Sequence, residues 1–306
     1  MTNRQALEEW LFLANQRYKE AGVDHAARSW KAVSEYSIEF RHSFIMGRSG
    51  PDEFIFEWFK QRSKTGSQEI GSLYESAFYY DGCFWSLRIP FGFGSFCLEL
   101  EACVGEMPEV LKRELSKEMD VDTVFSRKLL EHWSNCIDYA YGIGAIVEGE
   151  VFKGLALTRI ESADQDIRAA NHLLLVNKAN PICAQSYRFA AEKLLKAAGW
   201  HAGAITSEEE EQHRFNHGLK DLAKACAQKT GAQFFEEIPA SVSTFPRWSS
   251  RYEKSEKDNA SLWQATFLAQ SIAADIVRLY SDRNSKAQIC PWTTSPNVQP
   301  STPPIP

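Results

Sequence analysis

The densest group of residues that could do chemistry is the run His213-Arg214-Phe215-Asn216-His217, which directly precedes a predicted helix. Free backbone N–H groups and the helix dipole favour anions at a helix N-terminus, and histidine changes its charge near neutral pH. We therefore expect His213 and Arg214 to contact a phosphate, and His217 to move a proton if the chain is catalytic. The structural alternative is that Asn216 caps the helix, Phe215 anchors it and His217 bonds a neighbouring helix.

A second segment interleaves cations with aromatic rings, in the run Arg247-Trp248-Ser249-Ser250-Arg251-Tyr252. Arginine can hold a phosphate through two parallel hydrogen bonds, and a tryptophan or tyrosine ring can stack on a nucleobase. We expect Arg247, Trp248, Arg251 and Tyr252 to bind RNA or a nucleotide. The alternative is that both rings pack under the last helix while the arginines pair with nearby glutamates.

Other site signatures are weak. His213 and His217 have the i, i+4 spacing of metal ligands, but residues 216–218 interrupt the helix between them, so we expect no metal. The chain has no phosphate-binding glycine loop and no zinc-protease motif, and we expect no cofactor. Its seven cysteines include no Cys-x-x-Cys pair, and it shows neither a signal peptide nor a long apolar run. These features indicate reduced thiols, a cytoplasmic protein and no membrane partner.

The net charge of −6 is divided unevenly along the 306 residues. Residues 1–150 hold 16 Lys/Arg against 24 Asp/Glu, which gives −8, whereas residues 151–306 hold 18 against 16, which gives +2. This balance excludes a basic protein that coats nucleic acid. It allows a confined phosphate site, and the second half is where that site would lie.

The second half predicts an all-helical bundle. Apolar residues recur at helical spacing over 159–177, from Pro181 to Gly199, over 217–230 and over 257–283. Glu192, Lys193 and Lys196 are expected to share a solvated face of the second of these helices. The end of the chain, 286–306, contains six of the twelve prolines and predicts a flexible tail.

The first half predicts an α+β domain. Helices are expected over 4–22, over 25–46, from Pro51 onward, and over 108–118 and 121–141. Between them, Asp81-Gly82 flanked by aromatic residues predicts a β-hairpin, and 95–100 predicts a third strand. Its aromatic residues are expected to be mostly core, with any exposed remainder as a surface for a protein partner. Glycines at 142–154 place the boundary there, giving domains 1–150 and 158–285.

Three segments of the second half resemble the HEPN family of helical bundles. They are 185–197, with its Glu192-Lys193-Leu194-Leu195-Lys196-Ala197 run; 217–222, which opens with His217-Gly218-Leu219; and the Arg251-Tyr252 pair. The segments occur in the family's order and span about 160–283. The resemblance implies an antiparallel bundle of four or five helices that forms a homodimer.

The same resemblance implies two classes of function. Some HEPN proteins bind RNA or nucleotides, or serve assembly; others are metal-independent ribonucleases of toxin–antitoxin and phage-defence systems, with an Arg-x4-6-His motif in the last helix. Here no histidine follows Arg247 or Arg251, and the one such spacing, Arg127 to His132, lies outside the matched region. We expect a prokaryotic binding or dimerisation protein without the nuclease motif. The alternatives are a ribonuclease that uses His217, and a structural scaffold or antitoxin-like subunit.

Overall fold

The computed structural model describes residues 3–23, 25–42, 50–62, 72–91, 98–149, 151–176, 182–206, 217–246 and 258–290. These residues are mostly helical, with one two-stranded antiparallel sheet. The chain divides into two compact units, Met1–Leu73 with Pro90–Glu99, and Tyr74–Ile89 with Leu100–Pro306. No helix in the described ranges is long and apolar enough to cross a lipid bilayer.

The first unit is built on α1 (Asn3–Glu20), α2 (His25–Glu39) and α3 (Pro51–Lys60). Proline at the first position of α3 and two acids in its first turn start this helix as the sequence predicts. The helix predicted over 25–46 ends earlier, and Arg41 after it has a positive φ of 50°. The three helices enclose an aromatic-rich core, which contains Leu7, Leu11, Ala14, Tyr18, Ala32, Val33, Ile55, Phe56, Trp58 and Phe59.

The predicted β-hairpin is confirmed. Strand β1 (Tyr74–Tyr80) pairs antiparallel with β2 (Cys83–Ile89). Asp81 and Gly82 form the turn with φ values of 46° and 76°, the left-handed conformation that a two-residue hairpin loop requires. The third strand predicted over 95–100 has no such support, because Leu100 begins a short helix, α4 (Leu100–Cys103), and 95–97 lie outside the described residues.

Helices form the rest of the second unit. They are α5 (Glu109–Val121), α6 (Thr123–Glu148), α7 (Gly154–Val176), α8 (Ile182–His201), α9 (Leu219–Thr230), α10 (Phe234–Ser241), α11 (Asn259–Tyr280) and α12 (Lys286–Ile289), with a 3-10 turn at Val242–Thr244. Helix α8 lies at the centre and packs against α7, α9 and α11. Most of its residues are buried, which leaves it no wide solvent-facing side.

The domain boundary predicted at 142–154 is corrected by the way these elements pack. Gly142 and Gly144 lie inside α6 rather than in a linker. Gly142 is needed for packing, since a Cβ there would lie 2.2 Å from Cγ1 of Val277 on α11. Strand β1 also contacts α7 and α11. The hairpin, α5 and α6 therefore belong to the same unit as the helices after residue 150.

The predicted flexible tail, 286–306, also begins too early. Lys286 Nζ lies 2.6 Å from Glu131 Oε1, and the backbone amides of Ser285 and Lys286 donate to the Asp138 carboxylate. Cys290 is fully buried. Residues up to 290 are thus folded onto α6, and 291–306 lie outside the described residues.

Candidate functional site

Three charged residues follow one face of α8 at intervals of four. Arg188, Glu192 and Lys196 are 8%, 7% and 4% exposed, and the i, i+4 spacing stacks them on successive turns. Glu192 and Lys196 are therefore buried, which corrects the predicted solvated face. Lys193 differs, because it is half-buried and its Nζ lies 2.6 Å from Asp166 Oδ2 on α7.

The Glu192 carboxylate is shared between two positively charged or protonatable groups. Its Oε1 lies 3.0 Å from Lys196 Nζ, and its Oε2 lies 3.1 Å from Nδ1 of His217. Arg188 completes the cluster by donating from Nη2 to the backbone oxygen of His217 over 2.8 Å. The structural reading of His217, that it bonds a neighbouring helix, is thus confirmed. We name Arg188, Glu192, Lys196 and His217 the α8 charge cluster.

Charge is not balanced within the α8 charge cluster. Among its four residues, Arg188 and Lys196 each carry a positive charge and Glu192 is the one carboxylate; it pairs with Lys196 and acts on Arg188 electrostatically. Nε of Arg188 is buried and has no hydrogen-bond partner in the part of the chain that the structure describes. Burial lowers the pKa of the Arg188 guanidinium below its ordinary value, and the Glu192 carboxylate opposes part of that shift. Buried charge is costly unless it is paired, so an anion at this point would be stabilised.

The cluster lies at the start of α9. Gly218 occupies the N-cap position of this helix, where it has no side chain to accept hydrogen bonds from the first amides. His217, whose side chain is 35% exposed, comes directly before it. Amides at a helix N-terminus and nearby cations together favour a phosphate group.

The structure describes one of the site residues that the sequence analysis singled out, namely His217. The others, His213, Arg214, Arg247, Trp248, Arg251 and Tyr252, lie outside the described residues. Sequence reasoning missed Arg188. The signal that could have found it is the spacing of Arg188, Glu192 and Lys196 on a helix whose other faces carry alanine and leucine.

Another histidine, His132, lies in a buried polar group. Its Nε2 is 3.2 Å from Ser76 Oγ and 3.7 Å from Cys136 Sγ, and its ring contacts Trp263 and Phe267. Burial lowers the pKa of His132 to about 3 and raises the pKa of the Cys136 thiol well above its ordinary value. A neutral, fully buried imidazole beside a protonated thiol is a packing arrangement, and it gives no support to catalysis by the pair of Arg127 and His132.

Within the described ranges, no group of three or more histidine, cysteine, aspartate or glutamate side chains is placed to hold a metal ion. Comparison with known proteins gives no match to any family model, any curated protein or any solved structure. The α8 charge cluster and its geometry are therefore the basis for a functional proposal, together with the sequence resemblance.

Proposed function

We propose that the protein is a HEPN-like RNA- or nucleotide-binding protein whose phosphate site is the α8 charge cluster at the start of α9. The observation that carries this proposal is the buried Arg188, whose Nη2 donates to the backbone oxygen of His217 while its Nε has no partner among the described residues.

The chemistry of the cluster suits a phosphate group better than a carboxylate or a neutral ligand. A guanidinium can donate two parallel hydrogen bonds to phosphate oxygens, and Lys196 adds a second positive charge at close range. The sequence prediction that Arg214 and the Arg251-Tyr252 pair bind a phosphate and a base is part of the same proposal.

The proposal is tested by measuring binding of the full-length protein to pyrophosphate, ATP and a short single-stranded RNA by calorimetry or fluorescence anisotropy. Replacing Arg188 with methionine keeps the length of the side chain but removes the donors, and we expect affinity to fall about tenfold or more. The matched control is Lys224→Met, which removes an exposed cation from α9 and is expected to change little. Equal affinity of the Arg188→Met and wild-type proteins would refute the site.

A second function, metal-independent RNA cleavage, is favoured by one contact. The bond between Glu192 Oε2 and Nδ1 of His217 favours the tautomer that is protonated on Nδ1, so Nε2 carries the lone pair of a general base. Arg188 or Lys196 would then stabilise the charge that develops on the phosphate.

The nuclease proposal is tested by incubating the protein with total tRNA in the presence of EDTA. Cleavage that persists in EDTA and is lost in the His217→Ala variant supports the nuclease proposal. RNA that stays intact at high protein excess refutes it. Binding without cleavage favours the first proposal. Neither binding nor cleavage favours the third alternative, a scaffold or antitoxin-like subunit.

The proposal also covers the localisation, the oligomeric state and the biological process. We propose a cytoplasmic homodimer, linked to phage defence or a toxin–antitoxin system, and light scattering on the purified protein tests the dimer. The hairpin offers a surface for a protein partner, since Tyr79, Phe84 and Trp85 are half-buried. The rest of its aromatic content, such as Phe78 and Tyr80, is core.

A further inference from the structure

A groove of about 440 Å³ lies between α6 and α7. On α6 it is lined by Ile143, Gly144, Val147 and Glu148, and on α7 by Glu161, Asp164 and Gln165. Within each helix these positions are three to five residues apart or adjacent, so they share one face. The lining extends about 8 Å along α6 at 1.5 Å per residue. We call this surface the α6–α7 groove.

Gly144 lies on the floor of the α6–α7 groove, and no contact among the described residues requires a glycine there. It is exposed, and a Cβ placed on it would meet nothing within 4 Å. A glycine inside a helix costs about 0.5–1 kcal/mol relative to alanine. Gly142, two residues earlier, is justified by its contact with Val277, whereas Gly144 only creates a depression. Such a depression lets the backbone of another helix come close.

The rim of the groove is negative. Glu148 and Glu161 are exposed on opposite sides of it, one on each helix. The third acid, Asp164, is already engaged, since it accepts from the Tyr139 hydroxyl over 2.9 Å and lies 2.8 Å from Nε of Arg168. Two carboxylates that have no ion pair within the described ranges therefore flank an apolar floor formed by Ile143 and Val147. This charge repels phosphate and attracts lysine or arginine.

We propose that the α6–α7 groove docks a helix of a protein partner that carries an apolar stripe flanked by lysine or arginine. The apolar stripe covers Ile143 and Val147, the partner backbone approaches at Gly144, and the cationic side chains reach Glu148 and Glu161. This is the helix-in-groove mode of recognition. The site is separate from the phosphate-binding proposal and does not depend on it.

The test uses the full-length protein and a synthetic helical peptide of about 18 residues, with leucines along one face and lysines on both flanks of that face. Its twin carries glutamate in place of every lysine. We expect the lysine peptide to bind with a dissociation constant on the order of 10 to 100 µM. Its affinity should fall as the salt concentration increases. The glutamate twin is expected not to bind.

Two variants locate the site, each with a matched control. Gly144→Leu fills the depression and should weaken binding about tenfold, whereas Ala145→Leu adds the same side chain to the next, exposed position of α6 and should not. The double variant Glu148→Gln with Glu161→Gln should weaken binding about three- to tenfold; the double variant Glu236→Gln with Glu237→Gln on α10 is its control. Circular dichroism confirms that each variant is folded.

The proposal is overturned by any of three results. These are no binding of the lysine peptide at about 100 µM, equal binding of the glutamate twin, or equal loss of affinity in Gly144→Leu and Ala145→Leu. Since the peptide assay requires neither RNA nor Arg188, its failure would leave the phosphate-site proposal standing, and the reverse also holds.

Discussion

Replacing Glu192 with glutamine should lower stability and raise phosphate affinity at the same time. The substitution keeps the shape of the side chain but removes the charge that lies 3.0 Å from Lys196 Nζ and 3.1 Å from His217 Nδ1. Removing one partner of a buried ion pair costs about 3–5 kcal/mol. We expect about 3 kcal/mol, since the amide oxygen of glutamine can still accept a hydrogen bond. In a unit of this size that corresponds to a fall in melting temperature of about 6–12 °C.

The gain in affinity follows from the same charge. A bound phosphate and the Glu192 carboxylate repel each other, and two unit charges about 8 Å apart at an effective dielectric constant of about 20 interact by about 2 kcal/mol. Screening by salt reduces this, so we expect affinity for pyrophosphate to rise about tenfold. Pyrophosphate should then restore stability to the variant, by about 2.7 kcal/mol at a hundred times its dissociation constant.

The two effects are measured by chemical denaturation and by calorimetric titration of wild-type protein, Glu192→Gln and the exposed control Glu236→Gln. A variant that loses stability but binds pyrophosphate no better than wild type would show that the carboxylate serves folding alone. It would refute the reasoning that the α8 charge cluster has an excess of positive charge available to an anion.

Four further predictions follow from the described residues. Replacing the three buried charged residues of α8 (Arg188→Met, Glu192→Leu and Lys196→Met) should leave stability unchanged or raise it, and should abolish pyrophosphate binding in the calorimetric assay. Gly142→Ala should cost about 1–3 kcal/mol of unfolding free energy because its Cβ overlaps a neighbour, whereas Gly144→Ala should gain about 0.5–1 kcal/mol, both by urea denaturation. Burial lowers the pKa of His132 from its ordinary 6.5 to about 3 in the folded protein. Between these two pH values the unfolded chain therefore binds a proton at His132 that the folded chain does not. The unfolding free energy keeps its full value above pH 6.5 and falls by about 1.4 kcal/mol per pH unit as the pH drops towards 3. The unfolding free energy should therefore fall by about 2 kcal/mol between pH 6.5 and 5, and a His132→Gln variant should lack this part of the slope. Ending the chain after residue 290 should leave the melting temperature unchanged, while ending it after 284 should lower it by several degrees, since the amides and ammonium that bond Asp138 and Glu131 are then lost.

Turn residues and helical periodicity in the sequence predict the hairpin and most of the long helices correctly. The Asp81-Gly82 turn fixed the hairpin because few residues adopt two successive positive φ angles. Helical periodicity located α6, α7, α8, α9 and α11 to within a few residues at most ends, because each has an apolar stripe with the right period.

Two features of the fold depend on contacts between distant parts of the chain, which turn residues and periodicity do not reveal. Glycine usually breaks a helix, so the sequence predicts a linker at Gly142 and Gly144. Gly142 instead lies inside α6, where its small size admits Val277 of α11, more than a hundred residues away in the chain. The i, i+4 spacing of Glu192 and Lys196 predicts a solvated pair, because that is the ordinary role of such charges on a helix. Only the placement of α8 among three other helices shows that this face is buried.

The position of α8 in the bundle also bears on why its charges are there. A central helix needs apolar residues, and Ala184, Ala191 and Leu195 supply them on its other faces. A stripe of arginine, glutamate and lysine through the same core costs desolvation that an apolar stripe of equal volume would avoid. Buried donors in proteins usually have acceptors, as Nε of Arg278 and the Ser285 amide do in the Asp138 carboxylate. The α8 charge cluster leaves Arg188 Nε without a partner among the described residues, next to the N-terminus of α9. A bound anion would give that donor a partner, and this is the step on which the phosphate-site proposal rests.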